Sequence, residues 1–200
     1  MAKPTFTKQD YDNLFDSRGV VKNYAKAFPC LVFAAKLGVP HAQNLVGYCF
    51  DGGRGTKRNS RSAAHWYSLA ARKNHIEAIY NLALCYDHGR GIPTNAKKAF
   101  NLFRRAALMG HQWAQCNLGT KYSDGSGTSV DHSAAAAWYR KAARQGDAKA
   151  QYNLGLCYLD GEGVRKSHRL ALRWFNEAAS EGHKKAAKEA GRLRRALRRN

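Results

Sequence analysis

Three histidines at multiples of one interval are the first residues whose type could support chemistry. His75 and His111 are 36 residues apart, and His183 lies two such intervals beyond His111. A zinc ion holds its ligands at about 2 Å, whereas equivalent positions in stacked helices are about 8–10 Å apart. Asp147 holds the same position in the interval between them, which is typical of a polar turn residue. We therefore predict turn residues, with no metal site and no cofactor.

Four G-x-G sequences could suggest a phosphate-binding loop. Each follows a predicted helix instead of a strand, and none continues into G-K-[ST] or G-x-G-x-x-G. We interpret them as helix ends, where glycine supplies the positive φ that the chain needs on leaving a helix. The pairs are Gly53 and Gly55, Gly89 and Gly91, Gly125 and Gly127, and Gly161 and Gly163.

The cysteines and carboxylates do not form a recognisable catalytic group. The five cysteines are odd in number and contain no C-x-x-C pair, so we expect reduced thiols and a cytoplasmic protein, with Cys49, Cys85 and Cys157 buried in the core. No Ser/His/Asp order or pair of carboxylates stands out, and we predict that the chain is not an enzyme. The sequence contains no run of 18 apolar residues, so we predict no transmembrane segment. The cysteines are Cys30, Cys49, Cys85, Cys116 and Cys157.

A repeat of 36 residues positions these side chains. The first block of the repeat has the sequence AIYNLALCYDHGRG from Ala78 and AQYNLGLCYLDGEG from Ala150. A second block follows in each unit, for example AAAWYRKAARQG from Ala135. Apolar residues recur at intervals of three and four, which predicts two amphipathic helices per unit and an all-α fold. Glycine or asparagine ends the second helix, at Asn74, Gly110, Gly146 and Gly182.

The two blocks resemble the Sel1-like repeat family, relatives of the tetratricopeptide repeats. The resemblance covers Ala42 to about His183 and implies a right-handed α-solenoid of helix-turn-helix units that binds other proteins. Phe6, Thr7, Asp10 and Tyr11 suggest a capped helix start upstream. The predicted organisation is a degenerate capping repeat at 1–41, four repeats at 42–77, 78–113, 114–149 and 150–185, and a basic capping helix at 186–200.

Alanine pairs and aromatic residues in the second helices are expected to form the core. Small alanines let helices approach closely while large rings fill the space between them. The pairs include Ala70 with Ala71 and Ala142 with Ala143. The predicted core aromatic residues are Trp66, Tyr67, Trp138, Tyr139, Trp174 and Phe175.

A net charge of +20 predicts an anionic partner. We expect basic residues on the outer face of the second helices and in the tail to attract a protein with an acidic segment. The alternatives are an ordinary solvated surface, or electrostatic binding to nucleic acid or an anionic membrane. These basic residues are Arg61, Arg72, Lys97, Arg104, Arg140, Arg144, Arg169, Arg173, Arg192, Arg194, Arg195, Arg198 and Arg199.

The first helices supply a second predicted surface. Related repeats bind peptides on a concave face lined by first helices, so we predict that this chain is a non-enzymatic scaffold that binds its partner there. The recurring asparagines would contact a peptide backbone or bond to the adjacent loop. The predicted concave residues are Tyr48, Asn81, Leu84, His88, Asn117, Thr120, Asn153 and Leu156.

Overall fold

The computed structural model describes residues 13–15, 21 and 23–198. Within these residues the chain forms ten α-helices and one isolated β-bridge, between Phe15 and Val21. The predicted all-α repeat fold is confirmed, whereas the helix start at Phe6 to Tyr11 lies outside the described residues. The helices are α1 Tyr24–Lys36, α2 Pro40–Gly52, α3 Ser60–Arg72, α4 Ile76–His88, α5 Ala96–Leu108, α6 Gln112–Asp124, α7 His132–Arg144, α8 Ala148–Asp160, α9 His168–Ser180 and α10 Lys184–Leu197.

The chain divides into two compact units. The first ends at Asn95 and contains α1–α4, and the second begins at Ala96 and contains α5–α10. Within each unit every helix packs on the next helix along the chain. None of the described helices combines the length and the hydropathy that crossing a membrane requires.

Side-chain caps and left-handed residues set the ends of the helices. Asn59 and Asp131, the N-caps of α3 and α7, accept a hydrogen bond from the backbone N–H three residues on, at 3.0 and 2.8 Å. Such caps satisfy N–H groups that a helix start leaves without a partner. The predicted left-handed residues are confirmed at every first-helix end, namely Gly53, Gly89, Gly125 and Gly161.

The second glycine of each G-x-G is required by close packing as well as by φ. Gly91 has a φ of +75°, and a Cβ atom there would collide with the backbone of Ser60 and Arg61 at the start of α3. The same collision exists in the other repeats, for example between Gly163 and the backbone of His132. The motifs are therefore turns that seat one repeat on the preceding one, as predicted.

In three of the repeats a buried aromatic ring packs on a helical glycine. Tyr139 of α7 is 5% exposed, and a Cβ atom at Gly119 of α6 would lie 2.7 Å from its ring. Tyr67 over Gly47 and Phe175 over Gly155 form the same contact. The glycine lets the first helix lie directly against the ring, which places the core between the two helices of a repeat.

The sequence prediction for the tryptophans was wrong in part. Trp66, Trp138 and Trp174 are only half-buried, whereas their neighbours Tyr67, Tyr139 and Phe175 are buried. The Nζ atom of Lys141 lies 4.0 Å from the centre of the Trp138 ring. The tryptophan position is thus the edge of the core, because consecutive helical residues point about 100° apart and only one of the two can face α6.

Candidate functional site

The repeat-equivalent histidines are helix caps. Nδ1 of His75, His111 and His183 accepts a hydrogen bond from the backbone N–H three residues later, at 3.4, 3.2 and 3.1 Å. Asp147 caps α8 in the same way at 2.6 Å. The predicted turn role is confirmed. Among the described residues there is no group of three or more His, Cys, Asp or Glu side chains that could hold a metal ion.

The buried cysteines are poor nucleophiles. Burial raises the pKa of Cys49, Cys85 and Cys157 to about 11 and that of Cys116 to about 12. Such thiols stay protonated near neutral pH, and only a thiolate attacks an electrophile. All four side chains are buried and free of disulfides, which confirms the core thiols predicted at Cys49, Cys85 and Cys157. Cys30 is a free, half-buried thiol.

The predicted concave residues differ in how far they are available to a partner. Asn81 donates from Nδ2 to Oδ1 of Asn44 in the preceding repeat, at 3.1 Å. Thr120 accepts from the hydroxyl of buried Tyr139 and donates to the carbonyl of Cys116. His88 is exposed and Tyr48 is 37% exposed. The half-buried members are Leu84, Asn117, Asn153 and Leu156, and Leu156 packs on the core between α9 and α10.

The predicted basic residues of the second helices are mostly exposed. Arg140 is the half-buried exception, and its Nη2 atom donates to the hydroxyl of Tyr158 at 3.2 Å. On α10, Arg192 pairs with Glu189 and Arg194 donates to Asn176 of α9. Arg199 lies outside the described residues. The exposed members are Arg61, Arg72, Lys97, Arg104, Arg144, Arg169, Arg173, Arg192, Arg194, Arg195 and Arg198.

The structure adds a groove on the first helices of the second unit that sequence reasoning missed. It has a volume of about 430 Å³ and lies between α8 and the start of α10. We call it the lysine groove. Of its residues only Asn153 was predicted. The lining residues are Lys149, Tyr152, Asn153, His183, Lys184 and Lys185.

The rings of Tyr152 and His183 hold the two sides of the lysine groove together. They stack with their centres 4.7 Å apart and their planes 23° from parallel, and Tyr152 also contacts the ring of Phe175. His183 is fixed in turn by its capping bond to Ala186. The groove therefore rests on the buried core of the unit, and its shape does not depend on a flexible loop.

Three lysines give the lysine groove a positive charge. Lys149, Lys184 and Lys185 are exposed, and within the described residues none of them forms a hydrogen bond or an ion pair. The N-terminus of α10 adds the positive end of a helix dipole. Several uncompensated positive charges around a concave surface attract acidic groups and raise the rate of encounter with them.

A second basic groove lies on the opposite ends of the helices of the same unit. Its volume is about 620 Å³, and the half-buried Arg140 and Tyr158 form part of its wall. We call it the arginine groove. The remaining lining residues are Val164, Arg165, Lys166, Ser167 and Leu170.

Comparison with known proteins points to one family of repeats. The family model described as Sel1 repeat matches residues 13–39, 40–75, 76–111, 114–147 and 148–183. A Sel1 repeat protein from Oxalobacter formigenes is 31% identical in sequence, with a TM-score of 0.81, and the alignment covers 92% of this chain and 77% of that chain.

Two further relatives are larger than this chain. A protective antigen of uropathogenic Escherichia coli strains, which displays an SLR fold, is 32% identical with a TM-score of 0.80, over 83% of this chain and 36% of that chain. Chitin synthase regulatory factor 4 of Schizosaccharomyces pombe is 39% identical over 67 residues, which are 34% of this chain and 10% of that protein. The chain thus spans about a third of the antigen and a tenth of the regulatory factor.

Proposed function

The chain belongs to the Sel1 repeat family, and we propose that it is a protein-interaction scaffold whose lysine groove holds an acidic segment of its partner. Repeats of this family generally serve as protein-interaction scaffolds and not as enzymes. In this proposal the partner contacts the first helices, as the sequence suggested. Its acidic groups are attracted mainly by the lysines of the groove and less by the basic residues of the second helices.

The observation that carries the proposal is the convergence of three uncompensated lysines on one groove. Lys149, Lys184 and Lys185 come from two different helices and face a shared concave surface. An extended acidic segment could place carboxylates near each ammonium group while its backbone meets the amide of Asn153. Exposed ion pairs are individually weak, so the affinity would come from several pairs acting together.

A peptide titration tests the proposal. The probe is a fluorescein-labelled peptide of alternating glutamate and serine, titrated with the full chain and followed by fluorescence anisotropy. In the double variant Lys149→Glu/Lys185→Glu two attractions become repulsions, so we expect the affinity to fall about 100-fold. Both residues are exposed, and the melting temperature should stay unchanged.

The matched control reverses two charges in the first unit. Lys26→Glu/Lys36→Glu changes the net charge by the same amount at exposed positions of α1. If binding depends on the groove, this variant keeps its affinity within about twofold of the parent chain. Equal losses in the two double variants would mean that the peptide senses only net charge, and the proposal would be wrong.

A second candidate function is binding to nucleic acid or an anionic surface through the arginine groove. The observation in its favour is that Arg140, Arg165 and Lys166 lie around one depression. Arginine suits phosphate oxygens, and such binding would weaken steeply with salt. Arg165→Gln/Lys166→Gln should then abolish binding to a labelled oligonucleotide and leave peptide binding intact. Oligonucleotide binding that persists unchanged in this variant would exclude the arginine groove.

A further inference from the structure

The turn between α5 and α6 has an exposed apolar patch. Leu108, Met109 and Trp113 are 63%, 40% and 58% exposed and lie within six residues of one another around the left-handed Gly110. We call these three residues the apolar patch. Exposed large hydrophobic residues that are close together often mark a binding surface.

The repeat itself does not require apolar residues at these positions. The residues equivalent to Leu108 are Lys36, Arg72, Arg144 and Ser180, and those equivalent to Trp113 are His41, Glu77, Lys149 and Lys185. Every one of these is polar or charged, and the residues equivalent to Met109 are Lys73, Gln145, Glu181 and one apolar residue, Leu37. Packing of the repeat therefore tolerates a polar side chain here, and the apolar patch needs an explanation outside the fold.

Hydrogen bonds fix the apolar patch beside the turn that leads into the lysine groove. The side chain of Gln112 donates to the carbonyl of Gln145 at 3.2 Å, and the side chain of Gln145 donates to the carbonyl of Gly110 at 3.3 Å and to Gln115 at 2.7 Å. Gln145 is followed after four residues by Lys149, the first lysine of the groove. The two surfaces are thus neighbours on one unit.

We propose that the apolar patch anchors a large apolar side chain of the same acidic segment that occupies the lysine groove. This inference rests on the proposed function. The complementary ligand has an aromatic or large aliphatic residue for Leu108, Met109 and Trp113, followed by acidic residues for the lysines. Trp113, Lys149 and Lys185 occupy one repeat position on successive first helices. These helices each pack mainly on the second helix between them, so their spacing exceeds the roughly 10 Å of directly packed helices.

The spacing of the ligand follows from this distance. An extended strand advances about 3.3 Å per residue, so one repeat corresponds to at least about three residues. The apolar anchor should therefore stand at least about three residues from the first acidic residue and at least about six from the second. Apolar anchors in such interfaces contribute much of the affinity, whereas the surrounding charges favour the right partner and its orientation.

Two peptides test the anchor. Each contains two glutamates three residues apart in a serine background. One has phenylalanine three residues before the first glutamate, and the other has alanine there. We expect the full chain to bind the phenylalanine peptide about tenfold more tightly. Trp113→Ala should remove this advantage and leave the affinity for the alanine peptide unchanged.

Leu37→Ala provides the matched control. Leu37 is 71% exposed and occupies the position of Met109 in an earlier repeat, so its removal should preserve the advantage of the phenylalanine peptide. An advantage that survives in Trp113→Ala would overturn the anchor. Self-association of the chain that Trp113→Ala abolishes would assign the patch to a second copy and would also overturn it.

The failure of this inference can be separated from the failure of the proposed function. If both peptides bind equally and Lys149→Glu/Lys185→Glu weakens both, the groove holds acidic segments and only the anchor is wrong. If Lys149→Glu/Lys185→Glu leaves the affinity for both peptides unchanged, the proposed function is wrong and the anchor is wrong with it.

Discussion

The same repeat position has different chemistry in the two units. In the first unit it is held by His41 and Glu77, and both interact with His75: the rings of His41 and His75 are 5.6 Å apart, and a carboxylate oxygen of Glu77 lies 3.3 Å from Nδ1 of His75. In the second unit the position is held by Trp113, Lys149 and Lys185. The comparison shows that packing of the repeat tolerates side chains of very different chemistry at this position. Its residues are therefore free to make local contacts in one unit and to be available to a partner in the other.

We expect the two units to differ at this surface position but to have equivalent cores. The largest predicted effect tests whether the cores are equivalent. Gly47→Ala in the first unit and Gly119→Ala in the second would each place a methyl group 2.7 Å from a tyrosine ring. We expect each to lower the free energy of unfolding by about 2 kcal/mol, because an overpacked core must shift. Urea denaturation with hydrogen exchange will measure the loss and locate it. A loss in only one variant would show that the two cores differ.

The next prediction is that the first unit loses stability in acid. Burial lowers the pKa of His75 and His41. The folded chain therefore takes up fewer protons than the unfolded chain, and stability is retained above the ordinary histidine pKa of about 6.5 and lost as the pH falls below it. The effect has a structural cause, since protonated Nδ1 of His75 could no longer accept the bond that caps α4.

His75→Asp should reduce this acid sensitivity. Asp147 caps α8 at the equivalent position. An aspartate side chain has an ordinary pKa of about 3.9, so the variant should keep its cap at pH 5.5, where the parent chain loses it. Melting temperatures between about pH 7 and pH 5.5 will show a smaller decline for the variant. His65→Gln, at an exposed position of α3, is the control. An unchanged decline in His75→Asp would refute the role of this cap.

The smallest predicted effect is a gain of stability in the second unit. Gln145 donates to Gln115, but the equivalent Glu181 cannot donate when ionised, and Oε1 of Gln151 is buried without a hydrogen-bond partner among the described residues. Glu181→Gln supplies the donor and should add about 1 kcal/mol to the free energy of unfolding. Glu177→Gln removes the same charge from an exposed site on α9 and should change nothing. An equal gain of stability in both variants would show that removal of a negative charge, and not the new hydrogen bond, is the cause.

The fold could be predicted from the sequence because its signals repeat. An alanine every 36 residues, glycine at the helix ends and a polar residue at the position of His75 recur in unit after unit, and each has a local cause that the structure confirms. The spacing of apolar residues could not decide whether Trp138 or Tyr139 supplies the core ring. Both fit an apolar stripe, and only the packing of α7 on Gly119 decides between them.

The lysine groove could not be predicted in the same way because its residues do not repeat. Lys149 and Lys185 share a position with His41, Glu77 and Trp113, which gives no periodic charge signal. The groove also depends on the stacking of Tyr152 on His183, a contact between side chains 31 residues apart. The basic residues of the second helices gave the clearer sequence signal, yet Arg140 among them makes an internal hydrogen bond.

The most direct test of the binding surface is a photo-cross-linking experiment with the phenylalanine peptide. Its phenylalanine is replaced by benzoylphenylalanine, the peptide is irradiated with the full chain, and the attachment site is read by mass spectrometry. We predict attachment within residues 108–113, beside the lysine groove. Attachment to the second helices around Arg165 or Arg169 would contradict the assignment of the binding surface to the first helices of the second unit.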